Sequence, residues 1–279
     1  MPTPALLPVA PPPRAEVTGS TGCAGSSVPV TAQEPARANL LERAAPTRPR
    51  IAVHKFSSCD GCQLVFLHTN DALLHLAERV DIVHFAEAGP VDPDAPVDIA
   101  FVEGSLSTPE EIERIQQVRA SCRYLVSLGA CATSGGLQAL RNTAPEGVQE
   151  WTAALYARPE KIACLATAIP LAEAVRVDLE LWGCPVSAAQ VFQAIGQLLL
   201  GVHPHLEADS VCLECKRQQH VCVLVTEGKP CMGPVTRTGC GALCPGVGRD
   251  CYACFGPSDP AHTAVLATRF AGLGLPPAA

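Results

Sequence analysis

The sequence predicts an α/β fold with a doubly wound parallel sheet, followed by a small, irregular, cysteine-rich segment. Three observations carry this reading. Short apolar runs alternate with helix-patterned runs from Arg50 to Gly201. That periodicity disappears after Gly201. Fifteen cysteines stand in the chain, eight of them between residues 212 and 254.

The elements follow in order. "IAVHKF" reads as a strand and opens into the loop "SSCDGC". A helix follows through "LVFLHTNDALLHLAERV", with Phe66, Leu73, Leu76 and Val80 on one face. "DIVHFA" and "VDIAFVEGS" are strands. "STPEEIERIQQVRASC" is a helix with Ser107 or Thr108 as N-cap, Pro109 at its first position and acids in the first turn. "RYLVSLGAC" is a strand running into the glycine-rich turn "ACATSGGLQAL". "VRVDLELWGCP" is a further strand region, and "SAAQVFQAIGQLLLG" is a helix capped by Ser187 and ended at Gly201. Residues 212–254 are too irregular for an apolar core of their own, so something bound must organise them. Residues 1–48 are proline-rich without a period that would bury a face, and are expected to be a disordered extension.

Composition narrows the function. A net charge of −7 and an aromatic share of 4% argue against a nucleic-acid binder. No apolar run reaches the roughly 18 residues of a spanning helix. The N-terminal residues show no export signal, which makes a cytoplasmic location the expectation. Fifteen is an odd number, and a cytoplasmic chain does not keep a disulfide framework, so ordered cysteines point to metal.

Sites in open parallel sheets form at the carboxyl ends of the strands. Cys59 and Cys62 follow the first strand, Cys131 follows "YLVSLGA" and Cys184 follows "LELWG", so these four can meet around one centre. A Cys₄ set suits zinc or a [4Fe–4S] cluster, and a C-x-x-C alone also suits a redox dithiol. The later segment reads C-x2-C-x6-C-x8-C-x8-C-x3-C-x6-C-x2-C from Cys212 to Cys254. Its eight thiols divide into two quartets, each with a C-x-x-C pair. Zinc remains open from spacing alone.

The motifs "SSCDGCQL", "VEGSLSTPEE", "LGACATSGG" and "WGCPVSA" resemble the signature stretches of the small subunit of nickel–iron hydrogenases. The tail "CLECKRQQHVC…PCMGPVTRTGCGALCP…CYACFGP" resembles the two-cluster extension of the cytoplasmic, NAD(P)-linked branch, the sulfhydrogenases, in which the small subunit is called delta. The resemblance covers roughly residues 50–257. It implies a flavodoxin-like domain over residues 49–202 and a two-cluster iron–sulfur domain over 203–258, with 259–279 as a C-terminal tail. It also implies three [4Fe–4S] clusters. The proximal one falls to Cys59, Cys62, Cys131 and Cys184, and the distal one to Cys212, Cys215, Cys222 and Cys231. The medial one falls to Cys240, Cys244, Cys251 and Cys254. Where many relatives place a histidine and a proline, this chain has Cys212 and Cys244.

Glu103 matches a family acid near the proximal site, although a strand-end surface carboxylate capping "STPEE" would read the same way. Ser58 and Asp60 depart from the family pattern. His203, His205 and His220 read as solvated loop histidines, and Cys23, Cys122 and Cys164 as uninvolved thiols. The implied function is electron relay between a NiFe-containing large subunit and flavin-containing NAD(P) reductase and iron–sulfur subunits. "GACATSGG" is no dinucleotide loop, and the sequence does not carry the paired C-x-x-C ligands, one near each end of a chain, that hold nickel–iron in the large subunit. Three alternatives stay open: a coenzyme F420- or heterodisulfide-linked hydrogenase subunit sharing this tail, a subunit like that of complex I, and a zinc-stabilised scaffold. The complex I homologue uses adjacent cysteines where Cys59 and Cys62 are separated by two residues.

Overall fold

The computed structural model describes residues 48–275 apart from 70, 90 and 145–147; the proline-rich extension up to residue 47, with Cys23, lies outside the described residues. Five strands form one parallel sheet: β1 (Arg50–Lys55), β2 (Asp81–Phe85), β3 (Val97–Glu103), β4 (Cys122–Leu128) and β5 (Leu179–Leu181). Their order is β2-β1-β3-β4-β5, the order of flavodoxin. The helices are α1 (Gly61–Leu67), α2 (Asp71–Ala77), α3 (Pro109–Ser121), α4 (Gly129–Ser134), α5 (Val148–Leu155) and α6 (Ala188–Leu199). The cysteine-rich segment adds α7 (Val211–Arg217), α8 (Val223–Thr226) and α9 (Leu243–Gly246), and α10 (Thr263–Gly272) follows it.

Period-two alternation places the sheet between two helical layers. Ile51, Val53, Ile99, Phe101, Val126 and Leu128 pack on one side against Phe66, Leu76, Val191, Ile195 and Leu198 of α1, α2 and α6. Ala52, Ala100, Val102 and Leu125 pack on the other side against Ile115 and Val118 of α3. Every residue of β3 is buried, as a central strand covered on both faces requires. A capping box starts α3: Thr108 Oγ1 accepts from the Glu111 amide, and Glu111 accepts from the Thr108 amide in return.

Four expectations are corrected. The helix expected from Leu64 to Val80 is two helices: Thr69 Oγ1 donates to the Phe66 carbonyl at 2.6 Å, and α1 ends at Leu67. Ser187 stands at the N-cap of α6, but its side chain makes no capping bond. The glycine-rich turn after β4 begins as the short helix α4. The segment after residue 210 has a small apolar core after all, in which Val223, Leu224 and Val235 bury against Cys231, Cys251 and Leu266. Leu266 comes from α10, beyond the cysteines, in the stretch that the sequence pattern sets apart as a tail.

Two histidines carry a pH dependence. His54 on β1 and His84 on β2 are buried with ring centroids 4.7 Å apart, and His54 Nδ1 and both His84 nitrogens have no hydrogen-bond partner. Burial, His84 and Arg114 together push His54 down to about 3, and burial and Arg114 lower His84. The unfolded chain binds the proton that the fold refuses, so stability is complete above the ordinary histidine value and falls as pH drops below it. Between pH 6 and 5 the loss should approach about 1.4 kcal/mol per refused proton. Urea unfolding of His54→Leu should show a shallower acid slope than the wild type.

Candidate functional site

The parallel sheet delivers the chain after each strand to one edge, and the first cysteine group stands there. Cys59 lies in the loop after β1, and Cys62 is the second residue of α1. Cys131 sits on α4 after β4, and Cys184 follows β5. Cys62 is within electrostatic reach of Cys131 and Cys184, Cys131 of Cys184 and Cys59, and Cys184 of Cys59. Burial is the main cause that raises the Cys62, Cys131 and Cys184 thiols, and the neighbouring sulfurs add to it.

Glycines make room for these sulfurs. At Gly129, with φ +86°, a Cβ would lie 2.3 Å from Cys62 Sγ; at Gly136, with φ +53°, it would lie 2.6 Å from Cys131 Sγ. Glu103 occupies a different place from the surface position considered above. It is 1% exposed, and its Oε1 and Oε2 accept from the Cys62 and Gln63 amides at 3.0 and 3.2 Å. It thus caps α1 from across the sheet, and burial raises its carboxyl. The residue before α1, Asp60, has φ +66° and provides no cap. Its carboxylate accepts instead from Lys55 at 2.7 Å and Ser58 at 3.2 Å.

The second group surrounds a space. Cys212, Cys215, Cys222 and Cys231 all line one cavity of about 120 Å³, together with His220 and Pro245. A Cβ on Gly233 would lie 3.4 Å from Cys231 Sγ and 3.8 Å from Cys212 Sγ. Burial leads the rise of Cys212, Cys231 and Cys215, which reaches about 11 at Cys215. His220 is a half-buried loop residue that also lines this cavity, and its Nε2 lies 2.9 Å from Gln218 Oε1. His203 and His205 are exposed, as expected.

In the third group Cys240, Cys251 and Cys254 are within electrostatic reach of one another, and Cys244 sits on α9 beside Arg249. Burial, reinforced by Cys240 and Cys251, raises Cys254 to about 11. The groups adjoin one another in series. The Cys251 amide donates to Cys231 Sγ at 3.3 Å, and Cys254 lies within electrostatic reach of Cys184. Trp182 and Gly183 pack directly on Gly256 and Phe255. Among the described residues no three His, Cys, Asp or Glu side chains close on one point to hold a single metal ion. The thiols left over are placed elsewhere: Cys122 is buried at the start of β4, and Cys164 Sγ lies 3.8 Å from Thr152 Oγ1.

The family model for the NADH ubiquinone oxidoreductase, 20 Kd subunit, matches residues 59–198. The chain is 34% identical over 209 residues to the sulfhydrogenase 2 subunit delta of Pyrococcus furiosus, covering 75% of this chain and 86% of that one. The chain belongs to the hydrogenase small-subunit family. This small subunit is also 28% identical to one subunit of the F420-non-reducing hydrogenase of Methanocaldococcus jannaschii, with 75% and 82% of the two chains covered. Among solved structures it is similar to a chain of an NAD⁺-reducing [NiFe]-hydrogenase in the H₂-reduced state, at 31% identity and a TM-score of 0.52. That match covers 57% of this chain and 96% of the other. A chain of the Ni-Fe-Se hydrogenase from Desulfomicrobium baculatum, at 14% identity and a TM-score of 0.51, shares the fold; the match covers 77% of this chain and 96% of that one.

Sequence reasoning passed over one residue that the small subunit places among its cysteines. Glu214 contacts the loop of Cys240. An acid lying inside a C-x-x-C was the available signal.

Gly129→Ala tests the cradle. Positive φ and the clash with Cys62 should destabilise the protein by more than about 1 kcal/mol. Cys62 should also become open to alkylation, and mass mapping of labelled thiols reads this directly. Gly196→Ala, on α6 with nothing within 4 Å of its Cβ position, should be neutral or slightly stabilising.

Proposed function

We propose that this chain is the electron-transfer small subunit of a cytoplasmic [NiFe] hydrogenase, holding three [4Fe–4S] clusters. Cys59, Cys62, Cys131 and Cys184 would hold the proximal cluster. Cys212, Cys215, Cys222 and Cys231 would hold the distal one, and Cys240, Cys244, Cys251 and Cys254 the medial one. When bound, such a cluster takes up and passes on one electron at a potential set by burial, charge and hydrogen bonds to sulfur.

The observation that carries this reading is that the three groups adjoin one another in series. The amide of Cys251 donates to the sulfur of Cys231, and Cys254 lies within electrostatic reach of Cys184. Domain boundaries at 49–202 and 203–258 follow the same division, the first holding the proximal group and the second the other two. The donor set also suits the cofactor. Four sulfurs spread around a cavity of about 120 Å³ suit a multi-atom cluster better than one ion bound at about 2.3 Å.

Partners belong to the same reading. Leu137 and Leu140, just after the Cys131 helix, are 68% and 61% exposed, and Trp151 is also exposed. Apolar surface beside the proximal group suits an obligate interface with a NiFe-containing large subunit. Electrons would pass on to flavin-containing NAD(P) reductase and iron–sulfur subunits. A second reading has a specific support. The NAD⁺-reducing chain is matched over 96% of its length yet covers only 57% of this one, which leaves it almost no residues for an eight-cysteine tail. The relative from the hydrogenase named F420-non-reducing covers 75% of this chain, the same share as the sulfhydrogenase subunit delta. The intact complex supplied with hydrogen decides between the two: NADP or NAD reduction supports the first, and its absence alongside reduction of another acceptor supports the second.

Metal analysis of this subunit, separated anaerobically from the purified complex, should find about twelve iron per chain. Stoichiometric zinc, or about eight iron, would refute the assignment. Replacing Cys23, Cys122 and Cys164 together by alanine should keep that iron and lose only about 1–2 kcal/mol of packing. Replacing Cys131 or Cys184 should remove about four iron.

A further inference from the structure

Glu214 lies between Cys212 and Cys215 on α7, yet its side chain serves another group. Its Oε1 accepts from the Gly239 amide at 2.8 Å, and its Oε2 accepts from the Ala242 amide at 3.0 Å. Cys240 Sγ lies 3.7 Å from Oε2. The loop is shaped for this contact: Gly239, Gly241 and Ala242 all have positive φ, which turns its amides toward α7. Gln218, the residue after α7, donates to the Gly241 carbonyl at 3.0 Å, so the same helix grips the loop twice.

Two consequences follow. A helix that carries two sulfurs of one group fixes the loop that carries a sulfur of the next, so the two groups cannot shift independently. When Cys240 is a ligand its sulfur is anionic, and a carboxylate 3.7 Å away repels added negative charge. A group so placed is harder to reduce, since net charge and the surroundings of the sulfurs set its potential.

We propose that Glu214 is a positioning residue of the relay, whose carboxylate locks the Cys240 loop onto the Cys212–Cys215 helix and lowers the reduction potential of the medial group. This rests on the cluster assignment above.

The test uses the intact, anaerobically purified complex, with iron analysis and EPR-monitored redox titration of the wild type, Glu214→Gln and Glu214→Ala. Glu214→Gln keeps a hydrogen-bond acceptor and removes the charge. It should retain all its iron and raise the medial midpoint by at least a tenfold change in the reduction equilibrium, about 59 mV for one electron, leaving the proximal midpoint in place. Glu214→Ala should release iron from both tail groups together and leave the proximal group loaded. The proposal is overturned if Glu214→Gln shows three unshifted midpoints. It is overturned equally if either variant loses only the medial iron or if Glu214→Ala loses none. A wild-type complex containing zinc, or lacking the two tail signals, would instead overturn the cluster assignment itself.

Discussion

A sulfur taken out of water stays a neutral thiol unless positive charge is placed beside it. Burial is the leading cause that raises Cys62, Cys131, Cys184, Cys212, Cys215, Cys231, Cys240 and Cys254, and in most of them neighbouring sulfurs push the same way. Opposing charge from the protein is sparse; Lys216 beside Cys212 is one instance. A fold that gathers thiols this closely holds them as ligands only with a cationic group among them, and much of the chain is arranged around that requirement. Positive-φ glycines keep Cβ atoms away from Cys62 and Cys131, and backbone amides turn toward Cys231 and Cys240.

The sheet makes the first gathering geometrically simple. Parallel strands end on one edge, so β1, β4 and β5 each hand their cysteines to the same place. The cost falls on α1, which must start close to the sulfurs and has no N-cap of its own. Glu103, at the end of the neighbouring central strand, satisfies its first amides. A buried carboxylate is expensive, and the two amide bonds offset that cost. The second gathering has no sheet to rely on. There α7 grips the Cys240 loop through Glu214 and Gln218, and α10 adds Leu266 to an apolar cluster that the cysteine segment does not complete alone.

The parallel sheet was legible because β-periodic runs such as "IAVHKF" and "VDIAFVEGS" alternate with capped helices, and the α3 box is written in "TPEE". That Cys59, Cys62, Cys131 and Cys184 come within reach of one another was legible from their positions after strands. Other features were not. The break after Leu67 depends on a hydroxyl folding back on a carbonyl, and an apolar period shows no trace of it. Glu103 read equally as an acid near the first cysteines and as a surface cap for α3, because its partner amides lie some forty residues earlier in the chain. His220 reads as solvent-facing between Lys, Arg and Gln neighbours, and it becomes a cavity wall only when the loop of Pro245 closes against it. Each miss is a contact that local pattern does not encode, and the last two join distant segments.

Exposure varies within the groups. Cys59 and Cys184 of the first group are exposed, as is Cys222 of the second, whereas Cys62 of the first group is buried, as are Cys231 and Cys251, which are joined by the amide–sulfur bond. A relay benefits from this distribution. Its interior contacts should be dry and fixed, so that distance does not vary, and its ends should lie near surfaces where partners arrive. Exposed apolar side chains stand near both ends: Leu137 and Leu140 follow the Cys131 helix, and Val221 and Val225 flank Cys222. On the proposed reading these two apolar patches would suit an intermediate subunit that meets a partner on each side, which a single catalytic pocket would not require. The charge that Glu214 places at the middle of this arrangement then acts on the group that lies between the two faces.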